Sequence, residues 1–236
     1  MLGYTHAVSG ALGWLIVAPL GATTVGRPLT VGELAAGTLA CAGAALVPDL
    51  DHPQATVSNT FGPVSKAVAR FTALASGGHR NGTHTILFAL GAGLATSLIV
   101  SLGKWPAWTV MFILAAFAIR GLNLVPPKWS GSGKTILILF ESALLVWGLS
   151  YLGITQWWWL GPAMMLGCLL HLTGDCCTPE RCPLLKPFTK KRFGYGVIAH
   201  TGNWAEKKLI APALILGVFV MLYFRFVQDV KQLWNG

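Results

Sequence analysis

Seven apolar runs divide this sequence and constrain its fold more than any other feature. They fall at roughly 5 to 20, 34 to 48, 85 to 103, 107 to 122, 135 to 152, 157 to 175 and 209 to 227. The last five approach or reach the length that crosses about 30 Å of hydrocarbon. Of all residues, 54% are apolar and 11% are charged, whereas a soluble domain carries about 25% charged residues. We therefore predict a single all-α domain over residues 1–236, a polytopic transmembrane bundle of about five to seven membrane helices.

The first two runs are shorter than the others, at about 15 residues each, and so fall below the usual spanning length. The second run is rich in small residues, including Gly37, Ala40, Gly43 and Ala44. Small side chains let helix backbones approach closely inside a membrane protein. Two interpretations stay open for these runs: half-spans, or tightly packed interior helices.

The distribution of basic residues predicts an orientation. If all seven runs cross, 13 of the 17 Lys and Arg residues fall on the side that carries residues 49–84, 120–134 and 176–208. Because the cytoplasmic loops of membrane proteins are enriched in Lys and Arg, this side is predicted to be cytoplasmic. Alternatively, a basic loop binds a phosphate-bearing substrate, and the distribution of Lys and Arg then does not report the orientation in the membrane. The net charge of +9 indicates contact with membrane lipid and not with nucleic acid.

The long loop 49–84 contains a segment with helical amphipathicity. From Pro63 to Leu74, the residues Val64, Val68, Phe71 and Leu74 share one helical face, and Lys66 and Arg70 lie on another. This pattern is typical of an interfacial helix in the headgroup plane. A helix packed on the bundle is the competing interpretation.

Polar residues with metal-binding side chains are concentrated in four short motifs. The motifs are Thr5-His6, Pro48-Asp49-Leu50-Asp51-His52, His79-Arg80-Asn81-Gly82-Thr83-His84 and His171-Leu172-Thr173-Gly174-Asp175. In a seven-span arrangement each motif lies near the predicted cytoplasmic side, so the long loops 49–84 and 176–208 border one site. Ionisable residues at membrane spans are energetically unfavourable and mark functional sites.

These motifs predict a metal centre. His171 and Asp175 are four residues apart and share one helix face, as the paired ligands of metal-binding helices do. Mixed His and Asp donors suit zinc, manganese or iron, with zinc favoured. Which of Asp49 and Asp51 binds stays open, as does the choice between one ion and two. The candidate ligands are His6, Asp49, Asp51, His52, His84, His171 and Asp175.

The remaining polar groups predict hydrolytic chemistry. A divalent ion activates water and stabilises phosphoryl transfer, with Asp51 and His79 as an acid/base set and Arg80 as a phosphate ligand. The site borders the membrane, so we expect a lipid or lipid-linked phosphate as the substrate. Two alternatives stay open: a transporter or scramblase of anionic lipid or metal ions, and a structural polar network without a metal.

Taken together, the motifs resemble the YdjM-like family of inner-membrane proteins associated with the LexA regulon and described as metal-dependent hydrolases. The resemblance covers about residues 3 to 205 and includes Thr178-Pro179, Pro183-Leu184-Leu185 and Pro187-Phe188. It implies a bacterial inner-membrane location and a metal centre distantly similar to those of zinc-dependent phospholipase C and nucleases. The sequence departs from the family pattern at Cys176, Cys177 and Glu180-Arg181-Cys182, which leaves open a thiolate ligand.

Two further segments carry weaker signals. Ser130-Gly131-Ser132-Gly133-Lys134-Thr135 looks like the end of a phosphate-binding P-loop, but Lys128 occupies the position of the required first glycine. We therefore reject a P-loop. The run Trp157-Trp158-Trp159 is interpreted as an anchor at the membrane interface.

Overall fold

A computed structural model describes residues 1–126 and 128–235 of the chain. Within these residues the chain forms eight α-helices and no named β-strand, which confirms the predicted helical membrane bundle. The helices are α1 (Gly3–Thr24), α2 (Val31–Ala44), α3 (Pro63–Ser76), α4 (Ile86–Ser101), α5 (Lys104–Gly121), α6 (Gly131–Tyr151), α7 (Leu160–Cys176) and α8 (Ala211–Asn235). Short 3₁₀ helices at Val47–Asp51, Val57–Asn59 and Gly82–His84, and a π-helical turn at Glu206–Ile210, lie in the connections.

Each of the seven apolar runs corresponds to one helix, and α3 is the additional one. Four stretches of the described chain are long and apolar enough to cross a membrane: Gly3–Thr24, Val31–Asp51, Gly131–Tyr151 and Glu206–Arg225. Ile86–Ser101 is a shorter apolar helix. The first run is therefore part of a 22-residue helix of spanning length, and the second belongs to a stretch that is mostly buried within the protein.

The centre of the bundle is built from α2, which packs against α1, α5 and α7. Its sequence explains this position, because all of its buried residues after Glu33 are Ala, Gly or Cys, whose small size leaves room for neighbouring backbones. A capping box fixes its start: Thr30 accepts a hydrogen bond from the Glu33 N–H, and Glu33 accepts one from the Thr30 N–H. Around this centre, α4 packs on α7, α6 on α5, and α8 on α1.

Helix directions place four chain segments at one end of the bundle. The first residues of α1 lie beside the last turn of α7, since Gly174 contacts His6, and Gly13 farther along α1 contacts Leu170. The carboxyl end of α2 runs alongside α7, where Gly167 contacts Ala44. The start of α4 completes this end of the bundle through contacts between its preceding 3₁₀ turn and the Val47–Asp51 segment.

The tryptophan run before α7 corrects one prediction. Trp157 and Trp159 are buried, with 6% and 0% of their surface exposed. The Trp159 indole N–H donates to the Gln156 carbonyl at 2.9 Å, and its ring lies against Trp14 of α1. The interpretation of the run as an interfacial anchor is therefore wrong for these two rings, because they close the core between α1 and α7.

The amphipathic segment forms α3, as the pattern predicts. Its buried face is small, consisting of Ser65 and Ala69. The apolar side chains of the opposite surface are exposed: Val64, Val68, Phe71 and Leu74. Since these side chains do not pack on the bundle, the geometry favours the interfacial interpretation over a helix that buries its apolar face in the protein.

Candidate metal centre

Four side chains direct one donor atom each towards a common point at this end of the bundle. His84 Nε2 lies 3.2 Å from His171 Nε2, 3.7 Å from Asp49 Oδ1 and 3.5 Å from Asp175 Oδ2. His171 Nε2 lies 3.6 Å from each of the same two carboxylate oxygens. We call these four residues the central donor set.

The spacing of the central donor set fits a small divalent ion. Ligand atoms at about 2.0–2.1 Å from a tetrahedral zinc ion are separated from one another by about 3.4 Å. The five distances given above, from 3.2 to 3.7 Å, bracket this separation. Two imidazoles and two carboxylates are also donor types that zinc accepts.

Close packing of α7 on α2 positions His171. A methyl group at Gly167 would lie only 2.7 Å from the Cys41 carbonyl oxygen and 2.7 Å from the Ala45 nitrogen, so only glycine permits this approach. One turn later the His171 Nδ1–H donates to the Ala45 carbonyl at 2.7 Å. That hydrogen bond fixes the tautomer and leaves the Nε2 lone pair facing the central donor set.

His84 is surrounded by five polar side chains, those of His171, Asp49, Asp175, Asp51 and Thr83. Its Nδ1 lies 3.4 Å from Asp51 Oδ2 and 3.0 Å from Thr83 Oγ1, on the side of the ring opposite the central donor set. Burial lowers the pKa of His84, but its contacts with Asp175, Asp49 and Asp51 raise it, to about 10. The surrounding carboxylates therefore create a site that favours positive charge.

Asp51 connects His84 to His79. The His79 Nδ1–H donates to Asp51 Oδ1 at 2.8 Å, and the Thr83 hydroxyl donates to Asp51 Oδ2 at 2.5 Å. Asp51 is fully buried, whereas the His79 side chain is 35% exposed. Asp49, Asp51, His79 and His84 also form a group whose donor atoms lie within 4.8 Å of one another and could hold a metal.

His6 belongs to a second such group, with His171 and Asp175. Its Nε2 lies 3.2 Å from Asp175 Oδ1, and its ring stacks on that of His171 with centroids 3.9 Å apart. The first turn of α1 thus brings the earliest motif to the same place as the last one. Since the two groups adjoin through the central donor set, the arrangement is compatible with one ion or two.

His52 lies at the edge of this arrangement and belongs to neither group of donors. Its Nδ1 accepts a hydrogen bond from the Gln54 N–H at 3.3 Å. Its ring packs edge-on against His79, with centroids 4.5 Å apart. The structure therefore brings together six of the seven sequence-predicted ligands and leaves His52 beside His79.

Arg80 is tied to the protein's own carboxylates. Its Nε lies 3.0 Å from Asp175 Oδ2, and its Nη1 contacts Glu180 Oε2 at 3.1 Å and the Thr178 hydroxyl at 2.8 Å. The backbone of Arg80 has a φ of 54°, a left-handed conformation that non-glycine residues adopt rarely. Consequently the neighbouring residues His79 and Arg80 reach two different carboxylates, those of Asp51 and Asp175.

Sequence reasoning missed several groups that surround the donors. The sequence predicts no role for Thr83, which donates to Asp51, although its position next to His84 is a usable signal. Glu180 contacts Arg80, a role that its place outside the four motifs does not indicate. The hydrogen bond from His171 to the Ala45 carbonyl cannot be predicted from the sequence, because every residue has a backbone carbonyl.

The site is accessible from outside the bundle. A cavity of about 430 Å³ is lined by residues that include Asp49, His52, His79, Arg80 and Asp175. Asp49 is 19% exposed, while the side chains of His84 and His171 are fully buried. A substrate entering this cavity would therefore meet Asp49 and His79 first.

Comparison with known proteins identifies a family. The family described as YdjM inner membrane protein matches residues 1–122 and 135–232, which is nearly the whole chain. No curated protein and no solved structure matches the chain.

Proposed function

The chain belongs to the YdjM inner membrane protein family, and from this premise we propose that it is a membrane-bound, metal-dependent hydrolase. Its substrate is a phosphoester of a lipid or lipid-linked molecule. One observation carries the proposal: a central donor set of metal-ligand spacing lies directly beside an acid/base pair, Asp51 and His79. A purely structural polar network does not require both features at an open cavity.

Metal binding is assigned to His84, His171, Asp49 and Asp175. A second ion would be held either by His6 beside His171 and Asp175 or by Asp51 beside Asp49 and His84. Zinc is favoured, with manganese and iron as alternatives. A divalent ion held there supplies a Lewis acid and brings the pKa of a water molecule close to neutrality.

His79 is proposed to act as the general base and acid of the hydrolysis. Because its Nδ1–H donates to the Asp51 carboxylate, its Nε2 is left as the acceptor, and the partly exposed ring borders the cavity. Asp51 orients the imidazole and stabilises its protonated form, as the acid does in other Asp–His pairs. His79 can therefore take a proton from attacking water and return it to the leaving group.

Arg80 is proposed to hold Asp175 in place. Its Nε contacts the same Asp175 oxygen, Oδ2, that faces His84 and His171. The guanidinium thus fixes the carboxylate orientation and offsets part of its charge. Arg80 also lines the cavity, so contact with a substrate phosphate remains a second proposed role.

A lipid substrate is supported by the apolar surface around the site. Helix α3, with its exposed apolar face, packs against the Val47–Asp51 segment that carries Asp49 and Asp51. The loop after α7 adds exposed apolar side chains: Phe188, Tyr195, Val197 and Trp204. Such surfaces are typical of contact with the headgroup and acyl boundary of a bilayer.

The position of the site favours hydrolysis over transport. The donors come from helix ends and connecting segments, whereas transporters place their substrate near the middle of the membrane at broken helices. We place the protein in the bacterial inner membrane as a multi-pass protein, with the site near the cytoplasmic face, on the basis of the family and the distribution of Lys and Arg.

A turnover assay tests this proposal. The full chain, purified in detergent and loaded with zinc, manganese or iron, is mixed with micelles of phosphatidylglycerol, phosphatidylethanolamine or phosphatidic acid, and products are followed by ³¹P NMR. We expect metal-dependent phosphoester cleavage that stops on chelation. His79→Gln should lower kcat by about 10²- to 10⁴-fold with its metal content unchanged, and His200→Gln, outside the donor groups, should not.

Absence of cleavage for all three lipids by a folded, metal-loaded protein would contradict the lipid hydrolase. Movement of labelled lipid between leaflets without any product would instead support the transporter.

A further inference from the structure

A second cavity lies at the same end of the bundle, apart from the metal centre. Its volume is about 660 Å³, and it is formed by the segment that leads into α3, the end of α5 and the start of α6. It shares no lining residue with the cavity at the metal centre. It includes part of the Ser130–Thr135 segment, which lacks the first glycine of a P-loop.

The charged residues that line this cavity are all cationic. Three cationic side chains line it, Lys66, Arg120 and Lys134, and no acidic residue does. Among the described residues none of these three cations forms an ion pair within 4.0 Å. By contrast, Arg80 at the metal centre is paired with two carboxylates. Three cations facing one cavity repel one another unless an anion joins them.

Polar groups suited to phosphate oxygens complete the cavity. Ser130 and Ser132 line it at the start of α6, and the Ser130 side chain makes no capping hydrogen bond. The first amide N–H groups of a helix have no acceptor within that helix. In this setting they add donors to a site whose charge is supplied by the three cations.

Apolar side chains continue from the cavity along α6. Ile136 lines the cavity and is 65% exposed, and Phe140, Leu144 and Trp147 follow at helical spacing, each more than half exposed. Helix α6 packs on α5 and leaves this stripe uncovered within the described chain. Trp129, at the cavity mouth, is also exposed. A ligand with a charged head and an acyl chain fits this continuity, and a free anion does not need it.

We propose that the cavity lined by Lys66, Arg120 and Lys134 binds the phosphate headgroup of an anionic phospholipid, with an acyl chain along the exposed stripe of α6. This is a binding site additional to the substrate cavity. It does not depend on hydrolytic activity, so the two proposals fail independently.

The test is native mass spectrometry of the full chain in detergent, titrated with phosphatidylglycerol or with phosphatidylcholine of the same acyl chains. We expect a phosphatidylglycerol adduct that is favoured over phosphatidylcholine. Each cation near an anionic lipid contributes about 1 kcal/mol, or roughly fivefold in affinity. The triple variant Lys66→Gln/Arg120→Gln/Lys134→Gln should therefore bind about a hundredfold more weakly.

A matched triple variant removes the same charge elsewhere on the surface: Lys190→Gln/Lys207→Gln/Lys208→Gln. These lysines are exposed and do not line the cavity, so affinity should be nearly unchanged. Equal loss in both triples would show general attraction to a basic surface and overturn the site. Displacement of the lipid by millimolar inorganic phosphate, with phosphate binding in its own right, would overturn the lipid in favour of a free anion.

Folding is checked by size-exclusion profile. If the triple variant aggregates, the single variants Lys66→Gln and Lys134→Gln replace it, each with an expected loss of about fivefold. Unchanged affinity in both folded single variants would also overturn the proposal.

Discussion

At the residue scale, the two aspartates that the sequence leaves equivalent have different surroundings. Asp49 faces the Nε2 atoms of His84 and His171. Asp51 contacts the opposite nitrogen of His84 and holds His79. The first arrangement is that of a ligand, and the second is that of a carboxylate that orients a ligating histidine.

This difference predicts unequal effects of the same substitution. Asp49→Asn should remove a direct ligand and abolish stable binding of metal. Asp51→Asn should lower metal affinity by about 10- to 100-fold, as loss of an orienting partner does, and should lower kcat further through His79. Competition against a fluorescent zinc chelator measures both affinities, and equal losses would contradict the assignment.

The protonation of His84 predicts the pH dependence of metal binding. With its pKa raised to about 10, His84 carries a proton at neutral pH in the metal-free protein. A metal ion must displace that proton, so apparent affinity should rise with pH by up to about tenfold per unit and level off near pH 10. Calorimetric titrations at pH 7.5 in buffers of different ionisation enthalpy should show proton release. Binding without proton release would contradict His84 as a ligand.

Residue identity predicts the donors better than it predicts their partners. His, Asp and Arg in four motifs are visible in the sequence, and six of the seven predicted ligands lie in the two donor groups. The pairings are not visible, because they depend on which ring nitrogen faces which carboxylate. His52 is the predicted ligand that lies outside these groups. It follows Asp51 in the sequence, but the 3₁₀ turn that ends there directs its ring to His79.

At the element scale, the packing of α7 against α2 determines where His171 lies. Gly167→Ala would place a methyl group 2.6 Å from Ala44 Cβ. We expect a loss of about 1–3 kcal/mol in stability, as for overpacked cores, together with reduced metal occupancy as His171 moves from Ala45. Gly91→Ala in α4, with open space at its Cβ, is the control and should keep the metal. Full occupancy in folded Gly167→Ala would contradict this coupling.

Helix α3 supports a separate prediction about the membrane. A photoreactive diazirine residue at Leu74, which is 83% exposed, should crosslink to lipid when the protein is in vesicles. The same residue at Ser76, which is half-buried and shares the helical face of Ser65 and Ala69, should crosslink to lipid much less. Equal labelling at both positions would show that α3 does not lie with its apolar face in the bilayer.

The helices themselves follow from the sequence because their apolar runs are long. All seven runs form helices, and the amphipathic period of residues 63–74 correctly predicts α3. The sequence does not predict which helix faces are buried, because lipid-facing and protein-facing surfaces are both apolar in a membrane protein. For this reason the interior position of α2 stays ambiguous in the sequence, and Trp157 and Trp159 look like interface residues although they lie in the core.

At the scale of the whole molecule, the charge distribution predicts which end faces the cytoplasm. A short epitope inserted after Gly196, in the loop that follows α7, should be protected from protease in intact spheroplasts. An epitope after Gly153, between α6 and α7, should be cleaved. Both glycines lie in connections between helices, have a positive φ and have open space around their Cα atoms. The reversed pattern would place the metal centre on the outer face.

The central claim is that the end of the bundle where α1, α2, α4 and α7 meet binds a metal ion. The most direct measurement is elemental analysis by plasma mass spectrometry of purified wild type, His84→Ala/His171→Ala and the control His200→Ala, each with a verified size-exclusion profile. We predict about one to two equivalents of zinc, manganese or iron in wild type and control, and almost none in the folded double variant. A well-folded wild type that holds no metal even after reloading would contradict the account.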